Sequence, residues 1–139
     1  MLDISTIYSV GMTMESSFIV GVDDTYGNCS SRLNMLMSTP GSVARMIDLV
    51  GKKCNELLPE GFVTVGIRFA INQVAAAMMG TRVTLKATIE AIEGNKLIIA
   101  LEIRDDLGGL AWGQNERAVL PYMALLDAAE KRTKQIRGL

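Results

Sequence analysis

The side chains able to do chemistry in this 139-residue sequence are few, and the shortage is informative. There is no histidine, so no Ser-His or Cys-His nucleophile and no histidine-ligated metal site can form. No side chain present has an unperturbed pKa near neutrality. Two cysteines, Cys29 and Cys54, make neither a zinc set nor a disulfide framework. What remains is Thr39 before Pro40, the carboxylate Asp48, the amide Gln73, and Asn115 two residues before Arg117. Capping alone would select a threonine before a proline at a helix start. The same hydroxyl could also stand beside a ligand whose carbonyl oxygen is polarised by the orphan N–H groups of a helix N-terminus. Gln73 could donate to a ligand carbonyl or orient a water, or it could be satisfied by backbone at a strand end. An amide does not titrate near pH 7, so it is no general base. Arg117 could bind a phosphate, pair with a carboxylate across a dimer, or form an internal ion pair.

The elements that must position these groups follow from periodicity. Ser16 to Val22 reads as a short strand, closed by Asp23-Asp24-Thr25-Tyr26-Gly27; residues 32–38 read as extended or irregular. Thr39 as N-cap and Pro40 at the first helical position open a helix. Its apolar stripe is Val43, Met46, Ile47, Val50, Cys54 and Leu57, and it ends near Leu58-Pro59-Glu60-Gly61. On that stripe Cys54 is a small core residue rather than a reactive thiol, and Asp48 falls at its edge as an exposed charge or a weak base.

Residues 62–73 then switch to period two, with Val63, Val65, Ile67, Phe69 and Ile71 on one face and Gln73 continuing it. Further strands run Thr81 to Ile92, Lys96 to Arg104 after the Glu93-Gly94-Asn95 turn, and Leu110 to Leu120. Asn115 and Arg117 share a face of the last one, with Glu116 opposite. Gly66 and Gly113 lie inside strands, where glycine marks close approach by backbone or ligand. Pro121 opens a final helix with Tyr122, Leu125, Leu126 and Ala129 on one face. One amphipathic helix against a meander of long strands is an α+β layer, expected as a single domain over residues 1–139. A single helix cannot cover so wide a sheet, and a second copy of the chain is the economical cover.

Composition narrows the partners. Fourteen basic against fifteen acidic residues argue against a nucleic-acid footprint. Residues 1–31 carry a net charge of −4 and the remainder +3, with Lys131, Arg132, Lys134 and Arg137 near the end. That tail is a solvated helix end or a landing site for a phosphorylated ligand such as coenzyme A. No apolar stretch approaches the roughly 18 residues of a spanning helix, and no positive n-region opens the chain. Two unpatterned cysteines fit a reducing interior, so a cytoplasmic place and no membrane partner are expected.

Several local features occur in a familiar order: Ser38-Thr39-Pro40, Thr64-Val65-Gly66, Gly80 after Ala75-Ala76-Ala77, the Glu93-Gly94 turn, and Gly113-Gln114-Asn115-Glu116-Arg117-Ala118-Val119. From about Ser16 to Val119 the chain resembles the fluoroacetyl-CoA thioesterase family, whose hot-dog fold wraps a sheet around one central helix and pairs two protomers. The resemblance implies a threonine at Thr39, but puts Ile47 at the family's glutamate position and Gln73 at its histidine position. It also implies an acyl-CoA thioesterase-like homodimer binding a small thioester between protomers. Thr39, Gln73 and Asp48 are then the catalytic candidates, and Ile47, Gly66, Asn115 and Arg117 the substrate-binding ones. No metal is implied, and no cofactor beyond the coenzyme A of the substrate. Phosphates would meet Arg68, Arg82, Lys86 and Arg117, since no glycine-rich nucleotide loop is present. The alternative is a non-catalytic protein that binds an acyl-CoA or small acyl ligand.

Overall fold

A computed structural model describes residues 2–138. Five antiparallel strands, β1 (Thr13–Ile19), β2 (Phe62–Gln73), β3 (Arg82–Glu93), β4 (Lys96–Asp105) and β5 (Gly108–Pro121), form one sheet in the order β1-β3-β4-β5-β2. The long helix α1 (Thr39–Glu56) packs on one face, and α2 (Tyr122–Arg137) follows β5. This is the hot-dog arrangement.

The alternation read in β3 holds: Val83, Leu85, Ala87 and Ile89 are all buried. They meet Leu97, Ile99, Leu101 and Ile103 of β4 and Met46, Val50 and Cys54 of α1 in the hydrophobic core. Burying a side chain of this size contributes about 1.5–3 kcal/mol, so the β3–β4–α1 sandwich is the main stabilising unit.

Several local expectations are corrected. The first strand is Thr13–Ile19, not Ser16–Val22. The Asp24 carboxylate accepts from the Gly21 N–H at 2.9 Å and folds Val22–Thr25 into a 3₁₀ turn, which removes Val22 from the sheet. The helix N-cap is Ser38, not Thr39: its Oγ accepts from the Gly41 N–H at 2.9 Å, so Thr39 is the first helical residue and Pro40 the second. The buried stripe of α1 is Ser42, Met46, Leu49, Val50, Gly51 and Cys54. Ile47 and Leu57 are exposed, because the sheet lies under the Leu49–Gly51 side of the helix rather than under Ile47.

The fourth correction is a β-bulge. Gly66 pairs with Arg117 and Arg68 with Glu116, leaving Ile67 unpaired and 48% exposed. One extra residue reverses the facing of everything beyond it. Thr64 and Gly66 therefore share a face with Phe69, Ile71 and Gln73, opposite Val119, Arg117, Asn115, Gly113 and Ala111 of β5. Val63, Val65 and Ile67 do not belong to that face. The residues 31–33 also form a short 3₁₀ turn, and the expected apolar face of α2 is not buried.

Gly113 answers to backbone rather than ligand. A Cβ there would run into the Ala70 carbonyl of the neighbouring β2. Gly113→Ala should destabilise the protein by about 1–3 kcal/mol, the usual cost of overpacking. A fall in Tm with faster amide exchange confined to β2 and β5 checks this, and an unchanged Tm would contradict it.

Candidate functional site

Because Ser38 does the capping, the Thr39 hydroxyl is free for other work. It donates to Gln73 Oε1 at 2.8 Å, joining the start of α1 to the end of β2, with both side chains exposed. That bond leaves the Gln73 NH2 as a donor and a second lone pair on Oε1 as an acceptor. Pro40 has no N–H and the Gly41 N–H is held by Ser38, so the exposed polar groups at this helix end are largely the hydroxyl and the amide.

The helix start is strapped down from behind. Ser38 is fully buried, and its amide donates to the Asp24 carbonyl at 2.8 Å. Its hydroxyl donates to the Tyr26 carbonyl as well. Asp24 receives a two-point bridge from Arg45 of α1, Nε to Oδ1 at 2.7 Å and Nη2 to Oδ2 at 3.1 Å. Arg45 in turn lies over the Phe18 ring, 4.0 Å from its centroid. Asn28 closes the loop with its side-chain NH2 on the carbonyls of Thr25, Leu33 and Leu36.

A second group gathers around a cavity of about 410 Å³ between α1 and β2, bordered by Ile47, Gly66, Phe69, Asn115 and Arg117. All four expected substrate-binding residues are brought together here. Arg117 and Asn115 are buried. Arg117 donates from Nε to Thr64 Oγ1 at 3.1 Å, from Nη2 to the Thr64 carbonyl at 3.2 Å, and from Nη1 to Asn115 Oδ1 at 3.4 Å. Asn115 Nδ2 is anchored on the Arg68 carbonyl at 2.9 Å. Thr64 is held by Asn55 of α1, whose Oδ1 accepts from both its N–H, at 2.7 Å, and its hydroxyl, at 2.9 Å.

Gly66 stands over the guanidinium, where a Cβ would lie 3.4 Å from Nη1, an ordinary contact that would narrow the cavity. Burial holds the Arg117 guanidinium below its usual range, opposed by the nearby Cys54 and Tyr8. Burial also pushes the Tyr8 phenol up and the Cys54 thiol to about 11, so both stay neutral. Cys54 is accordingly an unreactive core thiol. The internal ion pair open to Arg117 does not form: Arg45–Asp24 is the ion pair found among the described residues.

The two groups are neighbours along β2, with Gln73 about 13 Å beyond Phe69 on the same face. Asp48 joins neither. It faces a separate cavity of about 450 Å³ with Arg45 and Lys52, between α1 and β1, at the opposite sheet edge. Among the described residues no cluster of three or more His, Cys, Asp or Glu side chains is placed to hold a metal ion.

The family model for fluoroacetyl-CoA-specific thioesterase matches residues 20–123. The chain belongs to this family. Within its fold the chain is similar to a hot-dog-like protein from Thermanaerovibrio acidaminovorans, at 32% identity over 94% of this chain and 97% of that one, with a TM-score of 0.90. The fluoroacetyl-CoA thioesterase FlK superposes with a TM-score of 0.78 at 21% identity, covering 89% of this chain and 96% of that one. A thioesterase superfamily member from Thermus thermophilus gives 0.80 at 24% identity, covering 94% and 96%. No curated protein matches the chain.

Sequence reasoning missed Ser38, Thr64, Asn55 and the Asp24–Arg45 pair. Two adjacent hydroxyls at Ser38-Thr39 carried the signal for the first, but the loop behind the helix decides which one caps.

Hydrogen bonding from Arg45 holds the Asp24 carboxyl below the usual carboxylate range. A depressed folded pKa adds stability above the unfolded value of about 3.9, and that stability disappears as pH falls through the folded pKa. Asp24→Asn should thus lower stability at pH 7 by about 1 kcal/mol, with the half-exposed Arg45 screened by solvent. The gap from the native chain should narrow progressively as pH falls below about 4. Thermal melts of both chains from pH 7 to 3 check this; a gap independent of pH would contradict it.

Proposed function

We propose that this protein binds a small acyl-CoA thioester between two copies of the chain and hydrolyses it slowly at most. The observation that carries the reading is the cavity beside α1. It has apolar walls at Ile47 and Phe69, a buried polar floor of Asn115 and Arg117, and the Thr39–Gln73 pair further along the same strand face. Family membership supports a thioester as the ligand class. One solved relative of this fold holds fluoroacetate and CoA.

Hydrolysis requires water to add to the thioester carbonyl and the sulfur to leave, with a base to take the water's proton. Thr39 and Gln73 can orient a carbonyl or a water, but neither titrates near neutrality. Asp48, the remaining candidate, stands in the other cavity. The positions where the resemblance implies a glutamate and a histidine hold Ile47 and Gln73, and acid–base catalysis of that kind is typically worth 10²–10⁴-fold. The non-catalytic alternative, an acyl-CoA or acyl-ligand binding protein, is favoured because neither member of the Thr39–Gln73 pair can act as a base. Gln73 Oε1 accepts from Thr39 and keeps a second lone pair, so the amide can hold a ligand or a water by hydrogen bonds without taking a proton from it.

Pairing of two copies is supported by the uncovered side of the fold. β2 is an edge strand of 12 residues, and apolar side chains are exposed on and beside it: Ile67 in the strand, Val74 just past its end and Ile47 on α1. An open edge of this length is ordinarily paired or covered. Arg68 and Arg82 are exposed cations for the CoA phosphates, with Lys86 half-buried, whereas the burial of Arg117 suits it to the acyl end. No cofactor beyond the coenzyme A of the substrate is required. A cytoplasmic place fits the two unbridged cysteines and the absence, among the described residues, of a helix long and apolar enough to cross a membrane.

Light scattering at micromolar concentration should give a dimer or larger; a monodisperse monomer would refute the pairing. Free CoA and acetyl-CoA should raise Tm, because a ligand bound only by the native state stabilises it. Native hydrolysis should be slow or undetectable, and Ile47→Glu with Gln73→His should increase it, with Thr39→Ala reducing the gain. Native turnover at ordinary enzyme rates of about 1–10³ s⁻¹ would overturn this and point to an unrecognised base.

A further inference from the structure

Arg117 is a buried cation without a counter-charge of its own. Its side chain lies in the protein interior, and no carboxylate among the described residues is within ion-pair distance of it. Tyr8 and Cys54 nearby are both neutral. A guanidinium carries five N–H donors and keeps its charge throughout the physiological range. Three are used, on Thr64 Oγ1, the Thr64 carbonyl and Asn115 Oδ1, which leaves one N–H on each terminal nitrogen. Isolating a cation in this way is costly unless an anion completes it.

The surroundings indicate where that anion comes from. Thr64 and Asn115 are themselves anchored, on Asn55 and on the Arg68 carbonyl, so the guanidinium is held in one orientation. Nη1 faces Gly66, whose missing side chain keeps the cavity open above it. The walls are apolar at Ile47, Ile67 and Phe69, which suits a short methylene chain, and the exposed Arg68 also borders the cavity.

We propose that the acyl group received by this cavity ends in a carboxylate that docks on the free N–H of Arg117 Nη1, so that the ligand is the CoA half-thioester of a short dicarboxylic acid. The proposal rests on the acyl-CoA reading above and specifies its acyl group. Nη2 packs against Gly51 of α1, so Nη1 is the terminal nitrogen turned to the cavity, and a charged guanidinium donor to a carboxylate makes a strong, charge-assisted hydrogen bond. Thr64 and Asn55 are then positioning residues that act through Arg117.

The test compares matched ligands on the native full chain: succinyl-CoA against butyryl-CoA, and malonyl-CoA against propionyl-CoA, with acetyl-CoA as reference. Dissociation constants come from calorimetry and from Tm shifts. The acidic member of each pair should bind about tenfold or more tighter, the scale of charge-assisted hydrogen bonds. Arg117→Lys keeps a charge but loses the fork, and Arg117→Met loses both; in each the acidic-to-neutral ratio should fall towards one. If Arg117→Met does not fold, Arg117→Lys and the native ligand pairs still decide the matter. Equal affinities within pairs, or preference for the neutral members, would overturn the proposal while leaving the acyl-CoA reading intact. Failure of every CoA thioester, acetyl-CoA included, to bind would overturn both.

Discussion

A five-stranded sheet presents far more apolar face than one 18-residue helix can cover, and most of this structure follows from that mismatch. α1 is spent on the middle of the sheet, where Met46, Val50 and Cys54 close over β3 and β4. The side towards β2 is left half covered. There Ile47 and Ile67 stay exposed and a cavity remains between helix and strand. The space that could take a ligand and the edge that could take a second protomer thus have one origin. Helix packing is the constraint; the site is what it leaves open.

The open side is floored with polar groups, and a single extra residue arranges them. The bulge at Ile67 turns Phe69, Ile71 and Gln73 onto the face already occupied by Thr64 and Gly66. Without it, Phe69 and Gln73 would lie on the side of the sheet opposite Arg117 and Asn115. The bulge also sets Gly66 against the guanidinium, where a larger residue would take up cavity space. Asn55, Thr64, Arg117 and Asn115 then form one continuous chain of hydrogen bonds from α1 across two strands. In such a network each member fixes the next, and removing one leaves a buried group without a partner.

The start of α1 is ordered by a different device. The loop from Val20 to Ser38 buries Val20 and Met37 but leaves Val22, Tyr26, Leu33 and Met35 exposed, and it is held by Ser38, Asn28 and the Asp24–Arg45 bridge. These contacts fix the first turn of the helix, and with it the direction of the Thr39 hydroxyl towards Gln73. The exchange of capping from Thr39 to Ser38 is small in sequence and large in consequence, because it releases a hydroxyl from structural duty.

Much of this was legible in the residues alone. Unbroken alternation in β3 and the Pro40 start of α1 are local signals, and they named the elements and the α+β class correctly. The lack of histidine by itself rules out whole classes of chemistry. Asn115 and Arg117 were placed on one face because β5 is regular between them. What periodicity could not reach was decided by tertiary contacts. The sheet, and not the helix pattern, chose Leu49 over Ile47 for the core. Pairing with β5, and not the alternation of β2, placed the bulge. The loop behind the helix chose Ser38 over Thr39 as the cap. Arg117 acquired its buried place through Thr64 and Asn55, far from it in the chain. A sequence reports the preference of each residue for local geometry, whereas burial and hydrogen-bond partners belong to segments that meet only when the chain has folded.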